Sequence, residues 1–485
     1  MKRKILYSFL LILILVDTTY SFMQHYHQPL DGDMSESIIP SNNVEKLFKD
    51  PFGIKLITSN EKNINPNRFF CHWIYNKYFR TMPFILQKFT NPIDSIYLSS
   101  AIAKILIQIS LLILLSSLAS GTTNLLKVDF LIVAIIITPF FQINGYSYMR
   151  IIDPSITYTF FYALPCIFII VYFYPFISEH LENRKTYSLK YFKLLWIPFS
   201  VVVCFSGALN PGIALVFIGI ILFRNLKLNY SLSLKKKFIS RFLESIKLIP
   251  NDYWFYFIPI GIFSLYSLYL NRFNINNIHV SLLKLYSLMP SGIYYQFTQK
   301  LGFPVLFCIL ILNSILILKK YNSEKGKKII GVLNGIILFA IIYILLLPLG
   351  GYRLCRSYLL RYDTIMPITL ALVFIFGAST FFLLKEMSKK NLIWYLPIII
   401  GVMLIYTFAD KPGFDNNLCE KKALEKISNS SEKVVKLNSD CSVISWYTVL
   451  KPDDSEPGAQ LLYFWKIVPE KKLYYYNNAV IQNKY

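Results

Sequence analysis

Two carboxylates, Asp31 and Asp33, flank a single glycine in the run Tyr26-His27-Gln28-Pro29-Leu30-Asp31-Gly32-Asp33, just beyond the first apolar segment of the chain. Gly32 permits a tight or left-handed backbone, so both side chains can face one point. Neighbouring carboxylates resist joint ionisation, which raises the pKa of one of them. Such a group suits general-base work on a sugar or lipid hydroxyl. The competing reading is a solvated Asp-Gly turn after Pro29. His25 and His27 precede the pair. In an extended segment alternate residues share a face, and two histidines with two carboxylates would then suit a divalent ion. The alternative role for either histidine is to orient a carboxylate or a substrate oxygen.

A second group lies in the run from Gly350 to Asp363, which carries Arg353, Arg356 and Arg361 and no lysine. The guanidinium is a planar fork of donors that matches phosphate oxygens. Arg353 and Arg356 share a face if the segment is helical, whereas Arg361 points elsewhere unless the chain bends. The chemistry this suggests is clamping of a lipid phosphate or pyrophosphate. The bland reading is an interfacial cluster paired with Asp363 or with lipid headgroups. A third stretch, Asn144 to Pro154, holds Arg150 and Asp153. Asp153 either completes the site or caps the helix that follows Pro154.

Membrane helices must position these groups. Hydrophobic residues make up 55% of the chain, and the mean hydropathy is +0.46. About eleven segments approach the roughly 20 mostly apolar residues that a crossing needs. They centre on 5–22, 96–118, 129–144, 156–176, 194–207, 211–224, 254–270, 303–318, 329–349, 364–384 and 392–408. The short pair 194–207 and 211–224 is joined by Asn210-Pro211-Gly212 and reads as a tight hairpin or one broken span. The expected fold is an all-α polytopic membrane protein with a small extracytoplasmic α/β tail. Its parts are an anchor (1–22), a first external loop (23–95), a multi-span core (96–408) and the tail (409–485). The first segment has the basic start of a secretory signal. It reads as a retained anchor because no convincing cleavage site stands near Thr18–Phe22.

Lysines and arginines in short loops set the orientation. Lys2, Arg3 and Lys4 place the N-terminus in the cytoplasm, and the basic linkers 177–193, 225–250, 319–328 and 385–391 then fall on the same side. The C-terminus is expected outside a cytoplasmic (inner) membrane. The arginine loop 350–363 falls outside as well, the exception that singles it out. The formal charge of +23 is explained by these loops and by anionic lipid, without nucleic acid. Of the seven cysteines, Cys166, Cys204 and Cys308 lie in spans. Cys419 and Cys441 share the tail, where a disulfide is permitted, and both paired and free forms stand open.

In the first loop, Val44–Phe48 and Phe69–Phe79 are periodic. The aromatic cluster of the second suits an interfacial helix, or one packed on the other spans. In the tail, Leu418–Ile427 has helical composition, while Val434–Leu437, Cys441–Val449 and Leu461–Ile467 are β-rich. Phosphate-cradling glycine loops, nucleophile elbows and cysteine metal patterns do not occur, and nothing suggests a cytoplasmic nucleotide site.

The layout resembles the GT-C superfamily of polytopic membrane glycosyltransferases. The residues that carry the likeness are Asp31 and Asp33 within His27-Gln28-Pro29-Leu30-Asp31-Gly32-Asp33. Asp153 and the loop of Arg353, Arg356 and Arg361 match more loosely. The resemblance covers the architecture of nearly the whole chain. It implies a lipid-linked (polyprenyl-phosphate) sugar donor, a glycan or lipid acceptor, Asp31 or Asp33 as base and arginines on the phosphate, in cell-envelope polysaccharide synthesis. The alternatives from other classes are an envelope polysaccharide transporter or flippase, which needs no catalytic carboxylate, and a polysaccharide polymerase.

Overall fold

The computed structural model describes residues 2–142, 145–146, 149–182, 190–232, 238–298, 300–353, 358–438 and 441–476. Arg356 lies outside these residues. Nine of the described helices are long and apolar enough to cross a membrane, by length and composition. They are Lys4–Tyr26, Pro92–Ser120, Ile156–Leu181, Asn210–Ser231, Asn251–Phe273, Gly302–Lys319, Glu324–Gly350, Tyr362–Glu386 and Lys389–Ala409. Two shorter apolar helices, Val128–Phe140 and Leu194–Cys204, account for the other two expected segments. Each expected segment is therefore a helix, but two fall short of the roughly 20 residues of a full crossing. The segments 194–207 and 211–224 are separate helices. The Asn210 amide fixes the turn between them by donating to the carbonyls of Pro165 and Val203, both at 3.0 Å.

Tyr362–Glu386 is the most enclosed of the nine, and Lys4–Tyr26 the least. Between lipid-exposed helices the hydrophobic effect offers little drive to associate, so small residues and polar contacts matter more. A side chain on Gly377 of the enclosed helix would meet Ile137 at 2.7 Å. Asn313 donates to Ser379 (2.9 Å) and Thr380 (3.1 Å) on that helix and accepts from the Tyr395 hydroxyl (2.8 Å), so three helices share one amide.

The first span continues in helical form to Tyr26, past the expected end at residue 22. The following loop folds into the helices Asp33–Ile38, Asn42–Lys49, Ile54–Ser59, Phe69–Phe79 and Met82–Leu86. Phe69–Phe79 packs on the spans. Its Tyr75 hydroxyl lies 2.9 Å from Thr157 Oγ1, and its Tyr78 hydroxyl donates to the Ser99 carbonyl at 2.8 Å.

The tail contains the helix Leu418–Asn429, strand β1 (Val434–Leu437), the helix Glu456–Phe464 and strand β2 (Leu473–Tyr476). β1 and β2 pair in parallel, with Val434 opposite Leu473. A parallel pair needs a crossover, and Glu456–Phe464 lies within it. Two expected strands are corrected here. Cys441–Val449 spends its backbone elsewhere: Ile444 N–H donates to Glu420 (3.0 Å), and the Val449 carbonyl accepts from Tyr476 (2.8 Å). Leu461–Ile467 overlaps the helix that Pro457 opens. Its buried Ala459, Leu461, Leu462 and Trp465 follow a helical spacing rather than an alternation.

The tail seats on the same end of the bundle as the first loop. Trp465, fully buried, donates from Nε1 to the Phe79 carbonyl at 3.1 Å. Glu420 accepts from Leu30 N (2.8 Å), the Tyr97 hydroxyl (2.8 Å) and Ile444 N (3.0 Å). Burial pushes its carboxyl up to about 7, against the opposing pull of those three donors. Cys419 and Cys441 form a disulfide with Cα atoms 5.9 Å apart. Replacing both cysteines with serine is expected to lower the stability of the tail by about 3 kcal/mol. Hydrogen exchange at the amides of Leu424 and Ile427 measures the loss, and unchanged protection would show that the tail does not depend on the bridge.

Candidate functional site

Asp31 and Asp33 have opposite surroundings. Asp31 is buried and accepts four hydrogen bonds. Oδ1 takes them from Thr157 Oγ1 (2.7 Å) and Asp33 N (3.1 Å), and Oδ2 from Ser155 Oγ (2.7 Å) and Thr157 N (3.0 Å). Ser155 is also the N-cap of the helix beginning at Ile156, accepting from Tyr158 N at 3.2 Å. The carboxylate thus sits on a helix N-terminus, where the exposed amides and the helix dipole favour negative charge. A carboxylate has about four lone-pair positions, and all four are taken. Asp31 holds the first loop to the fourth apolar helix through these four bonds.

Asp33 begins the next short helix and lines a cavity of about 210 Å³. Trp446 of the tail donates to its Oδ1 from Nε1 at 2.9 Å, and the indole stacks on Tyr158 with ring centres 5.6 Å apart. Burial, then the charge of Asp31, raise the Asp33 carboxyl to about 6, while the Trp446 bond and Arg353 pull the other way. Of the two expected forms, tight or left-handed, Gly32 is not the left-handed one; its φ is −71°. Its requirement is space. A Cβ there would stand 2.7 Å from both Trp446 N and Trp446 Cδ1.

Arginines form the opposing wall. Arg353 and Arg361 line the same cavity as Asp33, and Arg68 joins them from the first loop. Arg353 donates from Nη2 to Asn65 Oδ1 at 2.6 Å. Asn65 has a left-handed φ of 45°, a conformation asparagine tolerates. Gly351, at φ +92°, turns the chain beside Asn277 just before Arg353. Arg361 is held by a bidentate pair with buried Asp363, at 2.9 and 2.6 Å, and its guanidinium lies near the rings of Tyr158 and Tyr362. Arg68 is 3% exposed; it lies 5.8 Å from the centre of the Tyr162 ring, and its Nε has no hydrogen-bond partner among the described residues. His72, also on this wall, is kept neutral. Burial and the charges of Arg68 and Arg353 bring it down to about 3.

The other candidates lie apart from the cavity. His25 and His27 do not share an extended face with the carboxylates, because helix persists through His25. His25 Nε2 pairs with Gln108 Oε1 at 3.0 Å, and His27 Nδ1 with the Met23 carbonyl at 2.8 Å. Among the described residues no three His, Cys, Asp or Glu side chains gather as a metal ligand set. Asp153 is buried and accepts from Ser155 N at 2.8 Å, so it supports the N-cap. Burial raises its carboxyl, and Arg150, 3.8 Å away, opposes the rise. Arg150 also lies 5.3 Å from the centre of the Tyr362 ring. Neither residue lines the cavity.

Sequence reasoning missed Arg68, Tyr158 and Trp446, and also Glu36, a second carboxylate that lines the cavity beside Asp33. Arg68 carries no signal that separates it from Arg80 and the lysines of the same long loop. Trp446 carries none. No family model, curated protein or solved structure matches the chain.

The two aspartates should separate in stability. Asp31→Asn removes acceptor capacity from a buried, fully bonded position and is expected to cost about 2–3 kcal/mol. Asp33→Asn is expected to leave stability at neutral pH unchanged or to raise it, because burial disfavours the charged carboxylate there. Melting of the detergent-purified chain compares them, and equal losses would contradict the division of roles.

Proposed function

We propose that this protein is a membrane glycosyltransferase that moves a sugar from a polyprenyl-phosphate donor to an envelope glycan or lipid acceptor. The observation that carries the reading is the convergence of Asp33 with Arg68, Arg353 and Arg361 on one cavity, while Asp31 is saturated. The proposed setting is a cytoplasmic (inner) membrane. The cavity, the first loop and the tail then face outward, and the N-terminus lies in the cytoplasm, as the basic loops favour.

The division of labour follows from the chemistry of the wall. Arg68 and Arg353 hold the donor phosphate, and the buried Arg68 Nε supplies a donor with no other partner among the described residues. Arg361 is a less available clamp because Asp363 already occupies two of its N–H groups. The Asp33 carboxylate takes the proton from the acceptor hydroxyl as its oxygen attacks the anomeric carbon. The bond from that carbon to the phosphate oxygen breaks, and the leaving phosphate keeps the electron pair beside the guanidinium groups. Attack from the face opposite the phosphate inverts the anomeric carbon. The cavity is compact, so it takes the polar head of the donor while the prenyl chain stays in lipid.

Asp33→Asn is expected to lower the transfer rate by about 10²–10⁴-fold without lowering membrane abundance. Arg68→Ala and Arg353→Ala are each expected to raise the donor KM by about 10-fold or more, with a smaller effect on the acceptor. The assay is transfer from synthetic polyprenyl-phosphate sugars to envelope lipid and glycan extracts. Full transfer by Asp33→Asn would remove it as the base, and a larger effect on the acceptor would reject the clamp.

The pH dependence tests the role of Trp446. A base with a pKa near 6 gives activity that rises with pH through that value. The Trp446 N–H stabilises the carboxylate, so Trp446→Phe should raise its pKa and move the acid limb to higher pH, leaving the alkaline plateau in place. An unshifted limb would show that the indole acts only by packing.

A further inference from the structure

Leu282–Thr298 is a helix of 17 residues outside the nine long apolar helices. It stands between the end of Asn251–Phe273 and the start of Gly302–Lys319, at the end of the bundle that holds the Asp33 cavity. Its surface divides into three arcs. Leu285, Met289, Gly292 and Gln296 recur at helical spacing and are buried. At about 100° per residue, the next arc holds Leu282, Tyr286, Ile293 and Phe297, then Leu283 and Tyr294. All six are exposed, Leu283 to 84%. The third arc holds Lys284, Ser287, Ser291 and Thr298, exposed as well. A helix facing water on both exposed arcs has no reason to sort them into apolar and polar.

The apolar arc runs into the outer surfaces of two spans. Phe297 meets Phe307 with ring centres 5.1 Å apart, and the exposed Ile311 and Ile315 follow Phe307 at intervals of one turn along Gly302–Lys319. The Tyr286 hydroxyl donates to the Leu345 carbonyl at 2.9 Å, next to the exposed side chains of Leu345 and Ile341 on Glu324–Gly350. The buried arc holds the arginine loop. Gln296 Nε2 donates to the Leu360 carbonyl at 3.1 Å, and Leu285 and Met289 pack with Leu359. A Cβ on Gly292 would stand 2.7 Å from the Tyr358 carbonyl oxygen. Ahead of the helix, Ile278 N–H donates to the Tyr352 carbonyl at 2.9 Å. Both described ends of the loop that carries Arg353 and Arg361 are therefore docked on this helix and the segment leading into it.

A bilayer covers the apolar arc and the outer faces of the two spans as one surface, and it leaves Lys284, Ser287, Ser291 and Thr298 in water. That is the arrangement of an amphipathic helix lying in a membrane interface. We propose that Leu282–Thr298 lies at the boundary between headgroups and acyl chains, its apolar arc about 5–10 Å deep, and holds the arginine loop at that level. The inference rests on the surface of this helix and does not depend on the transferase reading.

The test uses the full chain in phosphatidylcholine nanodiscs with one spin label at a time, in a Cys308→Ser background because Cys71, Cys166 and Cys204 are buried. Paramagnetic resonance compares collisions with oxygen, which concentrates among acyl chains, and with a water-soluble nickel chelate. Labels at Leu283→Cys and Tyr294→Cys should favour oxygen, at a depth of about 5–10 Å. Labels at Ser287→Cys and Ser291→Cys should favour nickel. Nickel access at all four positions overturns the proposal, because the apolar arc then faces water. Exclusion of both reagents from that arc also overturns it, because a second copy or another protein then covers it. Oxygen preference at all four means a helix immersed in lipid and overturns it as well. Leu283→Asp with Tyr294→Asp should move labels at Ile293→Cys and Tyr358→Cys toward water by about 5 Å or more. Leu283→Asp alone serves if the double variant is unstable. An unmoved Ile293 label overturns the seat, and an unmoved Tyr358 label beside a moved Ile293 label overturns the hold on the arginine loop.

Discussion

The hydrogen-bonded seat of Asp31 is the constraint on which the end of the bundle that holds the Asp33 cavity depends. One carboxylate near the start of the chain is held by Ser155 and Thr157, more than a hundred residues later, at a helix N-terminus. Charged hydrogen bonds are about twice as strong as neutral ones, and burial shields these from competing water. With that anchor in place, the backbone between Asp31 and Asp33 has little freedom. The Asp33 amide itself donates to the Asp31 carboxylate at 3.1 Å. Asp33 is therefore presented to the cavity from a rigid base and not from a mobile loop.

Glu420 makes the matching connection from the tail. It accepts from Leu30, one residue before Asp31, and from Ile444, two residues before Trp446. A single buried carboxylate thus ties the two segments that meet at Asp33. Ile444 has a left-handed φ of 46°, uncommon for a β-branched residue. That strain is confined to the turn that brings Trp446 over Gly32, where no side chain would fit. The indole then has two partners, the Asp33 carboxylate and the Tyr158 ring. The tail is part of the site and not an appended module.

Charge placement gives the two ends of the bundle different character. At the Asp33 end, the arginines are individually positioned by Asn65, Asp363 and aromatic rings, which fixes the direction of their donors. At the other end, Arg224 and Lys328 line a largely apolar cavity between the helices Ile156–Leu181, Asn210–Ser231 and Glu324–Gly350. The same residue types thus stand in different settings at the two ends. The difference lies in what surrounds them: Arg68 is buried beside a polar cavity, and Arg224 is exposed above an apolar one.

Hydropathy alone located all eleven apolar helices, because twenty apolar residues in lipid have few alternatives to an intrahelical hydrogen-bond ladder. It also located the carboxylate pair and the arginine loop, because charge near membrane segments is costly and therefore conspicuous. Several features were decided only by the folded chain. These are which aspartate lines the cavity, why Gly32 is glycine, where His25 points, and how the two strands of the tail meet. Each depends on a partner distant in sequence: Thr157 for Asp31, Trp446 for Gly32, Gln108 for His25, and the β1–β2 pairing for the tail. Local composition sets which residues tend to be helical or charged. It carries no record of which long-range partner will saturate a given oxygen, and that saturation is what divides a structural carboxylate from one open to a ligand.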